Sequence, residues 1–170
     1  MLWTPVAQSD FSINPFTLIG DEWMLIAARA DARCNMMTAS WGGFGVLWGR
    51  PVATVYIRPQ RYTREFVEKA GHFSLSFFDE SGRAALNLCG TKSGRDVDKA
   101  AEAHLTIENG PQDVPLFAEA KLAVVCRKLY EGRFKRERFL ETTLVDDHYP
   151  DGDFHHMYIG EVVTLLRKDT

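Results

Sequence analysis

Segments typical of β-strands outnumber helical segments in this chain, and the two kinds do not alternate regularly. Apolar runs and period-two alternation predict at least six strands, at residues 23–29, 34–41, 51–57, 72–78, 122–130 and 157–166. Short helices are predicted at residues 63–70, 81–89 and 96–104. This irregular order disfavours a doubly wound α/β sheet. It favours a mainly β fold, a β-barrel with short helices at its ends.

The composition predicts one globular domain over residues 1–170, with 45% hydrophobic and 25% charged residues. A net charge of −3 argues against duplex nucleic acid as a partner, because such binders usually carry a basic stripe. No stretch approaches the roughly 20 apolar residues that a membrane helix needs. The N-terminal residues also lack the pattern of a signal peptide. We therefore expect no nucleic-acid partner and no membrane partner.

The three cysteines, Cys34, Cys89 and Cys126, are far apart and form no C-x-x-C pair. They indicate neither a disulfide framework nor a zinc site, so a reducing cytoplasm is the expected location. His155 and His156 are adjacent just before a predicted strand, and neighbouring side chains in extended backbone point to opposite faces, with no third ligand pattern nearby. We therefore expect no metal site there. The sequence also identifies no nucleophilic catalytic residue.

A glycine-rich run at residues 42–49 superficially resembles a dinucleotide-binding fingerprint. That fingerprint requires a helix that begins inside the run, whereas here a strand is predicted to follow. We therefore interpret Gly42, Gly43 and Gly45 as residues that let a loop turn tightly between two strands.

Three arginines surround the start of the predicted helix at residues 63–70. They are Arg58, Arg61 and Arg64. With Thr63 as the N-cap, the unpaired amides of the first turn and these guanidinium groups could bind a phosphate. The alternative is a solvated loop whose arginines pair with Glu65 and Glu68. Residues 91–99 form a second cationic loop that could reach an anion, although it also fits an ordinary polar loop.

Four motifs occur in order along the chain. They are Asn35-x-Met37-Thr38-Ala39-Ser40-Trp41-Gly42, Arg58-Pro-x-Arg61-Tyr62-Thr63, Ser93-Gly94-Arg95-Asp96-Val97-Asp98-Lys99 and His155-x-Met157-x-Ile159-Gly160-Glu161-Val162. Together they resemble the flavin reductase-like, FMN-binding split-barrel family, and flavoredoxin-type members most closely. The resemblance extends over residues 23–166.

This resemblance implies a six-stranded split β-barrel with a Greek-key arrangement. It also implies a homodimer that binds one noncovalent FMN per subunit near the interface. The cofactor-binding residues that it implies are Asn35, Met37, Thr38, Ala39, Ser40, Trp41, Arg58, Arg61, Tyr62, Thr63, Ser93, Arg95, Lys99 and His155.

The resemblance also implies how these residues divide the cofactor between them. Backbone groups at residues 38–40 would face the polar edge of the flavin ring, and the loop at residues 58–63 would hold the phosphate. Ser93, Arg95 and Lys99 would approach the flavin or the substrate side, either within the same subunit or from the partner subunit. A cation there, Lys99 or Arg95, would stabilise the anionic reduced flavin. His155 would line the pocket or the interface.

The function that follows is an FMN-dependent oxidoreductase of flavin-reductase type. Electrons would pass from NADH or NADPH through FMN to a free flavin, a partner protein or a small molecule. The alternative is a flavin- or haem-binding module without turnover of its own. His148 and the acidic segment at residues 146–153 match none of the motifs.

Overall fold

A computed structural model describes residues 2–168, which form ten strands and several short helices. The strands are β1 (Trp3–Pro5), β2 (Met24–Ala30), β3 (Arg33–Ala39), β4 (Gly42–Leu47), β5 (Arg50–Ile57), β6 (His72–Phe77), β7 (Ile107–Asn109), β8 (Pro115–Phe117), β9 (Leu122–Arg133) and β10 (His156–Lys168). The α-helices are α1 (Pro15–Thr17), α2 (Thr63–Lys69), α3 (Arg83–Thr91), α4 (Lys99–Glu102) and α5 (Thr143–His148). A π-helical turn, Leu18–Glu22, precedes β2.

Antiparallel pairing joins eight of these strands in one sheet of order β3-β2-β6-β9-β10-β5-β4, with β1 also paired to β10. β7 and β8 form a separate pair. The predicted mainly β split-barrel fold is therefore confirmed, and all six predicted strands are present. β1, β4, β7 and β8 are additional to the prediction.

The long strands β9 and β10 form the centre of the sheet, and register shifts interrupt their pairing at Ile159/Gly160. Gly160 has no room for a side chain, because a Cβ there would lie 2.7 Å from Cys126 Cβ and 2.8 Å from Phe73 Cζ. An irregularity of this kind bends a strand and increases its twist. Glycine at this position therefore lets the sheet curve around the buried Phe73.

Two helices cover the end of the sheet that contains β3. Phe66 and Val67 of α2 enter the main hydrophobic core, beside residues of β2 and β6. Leu86 and Cys89 of α3 pack in a second cluster with Leu25 and other side chains of the opposite face. These contacts place the C-terminal end of α3 beside β3.

The interpretation of the glycine-rich run as a loop was wrong, because residues 42–47 form strand β4. The turn is shorter and lies at Trp48 and Gly49, whose φ angles are 53° and 67°. Two consecutive positive φ angles suit a two-residue hairpin between strands with the usual twist. Gly42 is required for close approach, since a Cβ there would lie 2.8 Å from the carbonyl oxygen of Thr54.

The segment between β9 and β10 folds onto the sheet through aromatic contacts. Tyr149 lies 4.9 Å from Phe154 and 5.7 Å from Phe139, measured between ring centroids. Phe139 in turn lies 6.0 Å from Phe134, which lies 5.5 Å from Tyr56 of β5. These rings hold α5 against the end of β5. Among residues 2–168, no helix is long and apolar enough to span a membrane.

Candidate functional site

A cavity of about 220 Å³ opens at the end of β3. Its lining residues are Met37, Thr38, Ala39, Ser40, Trp41, Tyr56, Arg58, Arg61 and His155. We call it the β3 cavity. Three of the four motifs meet here, and every lining residue except Tyr56 is among the predicted cofactor-binding residues. The fold therefore brings together side chains that are far apart in sequence.

β3 lies at one edge of the sheet and pairs only with β2 among the described strands. Met37 and Ala39 point into the core, so Thr38 and Ser40 face the other way. Thr38 Oγ1 donates a hydrogen bond of 2.5 Å to the carbonyl oxygen of Leu86, which ties β3 to α3. An edge strand has backbone N–H and C=O groups that no neighbouring strand uses. β3 can therefore offer such groups to the polar edge of a planar ligand.

Arg61 reaches the cavity from the loop before α2. Its guanidinium donates to the carbonyl oxygens of Gly90, at 2.5 Å, and Cys89, at 3.0 Å. These carbonyls belong to the C-terminal turn of α3, where the helix dipole favours a cation. Burial lowers the pKa of Arg61, although arginine stays protonated at any physiological pH. Arg61 therefore presents a fixed positive charge beside β3.

Arg58 lies at the mouth of the cavity and connects β5 to the segment before β10. Its guanidinium contacts the Asp153 carboxylate at 2.5 Å and donates to the carbonyl oxygen of His148 at 2.9 Å. Gln60 also donates to Asp153, at 2.8 Å. Hydrogen bonds from Gln60 and Arg58 lower the pKa of Asp153, so this carboxyl is ionised. One of the two arginines at the cavity thus already has an anionic partner.

His155 and Trp41 form the remaining wall. His155 is buried, and its Nδ1 lies 2.8 Å from the hydroxyl of Tyr149. Burial, with the nearby charge of Arg58, lowers the pKa of His155 to about 4, so its imidazole is neutral at neutral pH. The Trp41 ring is 42% exposed and lies between His148, at 5.3 Å, and His155, at 5.1 Å.

Two further cavities adjoin the β3 cavity. One, of about 230 Å³, shares residues 38–40 and is closed by Trp23 and the last two turns of α3. Trp23 has a φ of 71° and a ψ of 171°, a conformation rarely found outside glycine, and Arg83 stacks 4.2 Å above its ring. The other, of about 480 Å³, shares Ser40, Trp41 and Tyr56 and is mostly aromatic. Trp23 and Tyr56 belong to no motif, so sequence reasoning did not select them.

Six predicted cofactor-binding residues lie outside the β3 cavity. They are Asn35, Tyr62, Thr63, Ser93, Arg95 and Lys99. Thr63 is not the N-cap of α2: Tyr62 occupies that position, and the Thr63 hydroxyl accepts a hydrogen bond of 2.9 Å from buried Asn35. The amides of Arg64 and Glu65 bond back to residues 61 and 62. Two of the backbone amides at the first turn of α2 therefore already have acceptors within the protein.

The loop at residues 93–95 lies against α2. Ser93 Oγ accepts from the backbone amide of Arg95, and a Cβ at Gly94 would lie 2.1 Å from Asn35 Oδ1. Arg95 pairs with Glu65 and lies 4.5 Å above the Tyr62 ring. These contacts use the side chains within the protein and turn them away from the cavity.

Arg64 and Lys99 are also engaged elsewhere. Arg64 pairs with Glu68, as the solvated-loop alternative expected. Lys99 is 4% exposed, and its Nζ donates to the carbonyl oxygens of Met36, at 2.9 Å, and Cys89, at 3.0 Å. Burial first and Arg61 second lower its pKa to about 8. Within this subunit, Lys99 therefore anchors α3 and α4 to β3 and does not line the cavity.

Among residues 2–168, Glu68, Glu131 and His156 bring three possible metal-ligand atoms within 4.8 Å of one another. Arg64 already pairs with Glu68, and its positive charge opposes a cation there. His155, which directly precedes β10, faces the β3 cavity instead. We assign no metal to this group.

The family model described as "Flavin reductase like domain" matches residues 18–170. The chain belongs to the flavin reductase-like family. Three solved structures show the same fold. A flavoredoxin from Methanosarcina acetivorans is 21% identical, with a TM-score of 0.70; the match covers 87% of this chain and 69% of that one. An FMN-binding domain of a flavin reductases-like enzyme from Shewanella baltica is 20% identical, with a TM-score of 0.71 and coverage of 98% and 77%.

The third structure is an FMN-binding protein from Thermus thermophilus with bound p-hydroxybenzaldehyde. It is 26% identical, with a TM-score of 0.69, and the match covers 86% of this flavin reductase-like chain and 71% of that protein. No curated protein sequence matches the chain.

Proposed function

We propose that this flavin reductase-like protein is an FMN-dependent oxidoreductase that takes electrons from NADH or NADPH and passes them to an acceptor. The observation that carries the proposal is the β3 cavity. It combines a free strand edge, two guanidinium groups and a buried neutral histidine in one opening. A planar heterocycle with a phosphate tail requires such a combination of backbone donors, backbone acceptors and cations.

The chain's own residues fit FMN in three respects. Backbone groups of Thr38, Ala39 and Ser40 would pair with the polar edge of the ring, which could extend towards Trp23 in the adjoining cavity. Arg61, with Arg58 beside it, would bind the phosphate. His155 would offer a neutral imidazole, because burial keeps it unprotonated.

Bound FMN would supply the redox chemistry, because its ring can take up a hydride, that is a proton and two electrons, from the nicotinamide. The protein's part is to bind, orient and shield. Trp41, whose ring packs against His148 and His155, forms one wall of the cavity and would limit the access of water to the ring. Arg61 would stabilise the phosphate and add positive potential near a ring that gains negative charge on reduction.

A homodimer is part of this proposal. The β4–β5 hairpin ends in exposed apolar side chains, with Val46 78% and Trp48 58% exposed, and β4 lies at the other edge of the sheet. Exposed apolar residues on an edge strand favour association with a second chain. Light scattering on the purified protein tests it.

We also propose a reducing cytoplasm as the location, in keeping with free thiols at Cys34, Cys89 and Cys126.

A second candidate function is a flavin-binding module without turnover, which the likeness to a protein described only as FMN-binding favours. One experiment separates the two. The protein is reconstituted with FMN and mixed anaerobically with NADH or NADPH while the oxidised-flavin absorbance band is followed. Bleaching by either donor is the expected result. Bound FMN that stays oxidised with both donors would establish the binding module, and failure to bind FMN would exclude both functions.

A further inference from the structure

Two cavities, each larger than the β3 cavity, lie side by side along the segment between β9 and β10. The first is the aromatic cavity of about 480 Å³ that shares Ser40, Trp41 and Tyr56 with the β3 cavity. The second, of about 460 Å³, is lined by Arg133, Phe134, Lys135, Arg138 and Phe139, and we call it the basic cavity. The rings of Phe134 and Phe139 belong to both. Three cavities thus follow one another from β3 to residue 138.

The residues around the basic cavity carry a net charge opposite in sign to that of the whole chain. Residues 133–138 carry four cations against the single carboxylate of Glu137, a net charge of +3, whereas the chain has −3. Within residues 2–168, the side chains of Arg133, Lys135 and Arg138 make no hydrogen bond or ion pair. The fourth cation, Arg136, lies 3.9 Å from Asp146. Most other lysines and arginines of the described chain do have a partner.

Unpaired cations that converge on a cavity create a positive potential that attracts an anion. Arginine and lysine side chains provide the donors that phosphate oxygens accept. The aromatic cavity next to the basic cavity is lined mainly by uncharged rings. Rings of Tyr56, Phe134, Phe139 and Tyr149 form its walls, and its volume lies within the range of about 300–1,000 Å³ typical of small-molecule sites.

We propose that the two cavities form one bipartite site for a planar heteroaromatic ring joined to a phosphate. The ring would enter the aromatic cavity, next to the β3 cavity, and the phosphate would bind Arg133, Lys135 and Arg138. Two ligands share this chemistry: a reduced nicotinamide dinucleotide as electron donor, and a free flavin nucleotide as acceptor. The inference rests on the proposed function, because it places the reacting ring beside the FMN that the β3 cavity would bind.

The double variant Lys135→Ala/Arg138→Ala tests the phosphate half of the site. Both side chains are exposed and unpaired, so their removal should leave the fold intact. The holoprotein is reduced anaerobically with NADPH, with NADH and with 1-benzyl-1,4-dihydronicotinamide, which has the ring but no phosphate. For the dinucleotide that binds here, the concentration that gives the half-maximal reduction rate should rise about tenfold. A rise of this size corresponds to the loss of at least one charge-assisted contact. The phosphate-free donor should be unaffected.

A second arm identifies the ligand. With the phosphate-free donor fixed, free FMN and free riboflavin are compared as acceptors. A KM increase for FMN alone would assign the site to the acceptor, and an increase for NADH or NADPH assigns it to the donor. Arg167→Ala is the matched control, because it removes an exposed cation that is likewise unpaired within residues 2–168.

The inference would be overturned if the double variant had unchanged half-maximal concentrations for both dinucleotides and an unchanged KM for free FMN. Such a result leaves the proposed function standing, provided the variant binds FMN and the phosphate-free donor still reduces it. If the unmodified protein does not bind FMN, the proposed function itself is refuted.

Discussion

The guanidinium of Arg58 lies 2.5 Å from the carboxylate of Asp153. This ion pair joins the end of β5 to the residues that precede β10, and both side chains are mostly shielded from solvent, with exposed fractions of 28% and 20%. A phosphate at the mouth of the β3 cavity would meet Arg58 and Asp153 together. The Asp153 carboxylate therefore competes with the phosphate for Arg58 and also repels the phosphate.

Asp153→Asn should increase the affinity for FMN relative to riboflavin. The substitution removes a negative charge beside the proposed phosphate position and frees Arg58, a gain of up to about 1 kcal/mol, or roughly fivefold. Fluorescence titration of both ligands measures the ratio of the two affinities. The exposed Asp151→Asn is the control, and it should leave the ratio unchanged. An unaltered ratio in Asp153→Asn would mean that Arg58 does not contact the phosphate.

His155 should make the protein less stable in mild acid. Its folded-state pKa of about 4 is below the ordinary 6.5, so the unfolded chain binds the extra proton first as the pH falls. The free energy of unfolding should therefore decrease between about pH 6.5 and pH 4 and receive no further contribution from His155 below that range. The titratable groups whose charge acts on the ring are Arg58, Asp153 and His148.

Urea unfolding at several pH values, compared with His155→Gln, isolates this contribution. The variant should have a shallower dependence on pH in that window. The same change at exposed His104 should keep the slope of the unmodified protein. Parallel slopes for His155→Gln and the unmodified protein would show that His155 is not buried in its neutral form.

Lys99→Met should lower the free energy of unfolding by about 1–3 kcal/mol, because the buried carbonyls of Met36 and Cys89 lose a charged donor. Chemical denaturation measures the change. Lys92→Met is the control: Lys92 is half exposed and pairs only with Glu102. Comparable stability of the two variants would contradict the anchoring role of Lys99.

Gly160→Ala should destabilise the sheet by about 1–3 kcal/mol, the usual cost of forcing an extra methyl group into a packed core. The added Cβ would clash with Cys126 and Phe73, whereas a Cβ at Gly71 has no neighbour within 4 Å. Thermal melts of Gly160→Ala and Gly71→Ala compare the two positions. Equal melting temperatures would exclude the close packing at Gly160.

The sequence predicted the fold class and six of the strands because periodicity and turn residues are local signals. The same signals failed at β4, where three glycines suggested a loop. Gly42 is instead required by the carbonyl of Thr54 on the neighbouring strand, a contact that no local pattern reveals. Pairing with a neighbouring strand, and not the local sequence, therefore determines the conformation of this segment.

The site was predictable to a similar degree. Eight of the fourteen predicted residues converge on the β3 cavity, yet spacing could not separate Arg61, which lines the cavity, from Arg64, which pairs with Glu68. Arg61 lies in the loop before α2, whereas Arg64 lies in the first turn of the helix. Lys99 and Arg95 likewise look like ligand-binding cations in sequence, and only tertiary contacts with Met36 and Glu65 show how their charges are used.

Binding of FMN and of riboflavin to Arg61→Ala tests most directly that the β3 cavity binds FMN by its phosphate. Only FMN carries the phosphate, so any loosening of α3 from the lost bonds to Gly90 and Cys89 would affect both ligands alike. We predict that the variant loses about 1.5–3 kcal/mol more binding free energy for FMN than for riboflavin. Equal weakening of the two ligands would contradict the account.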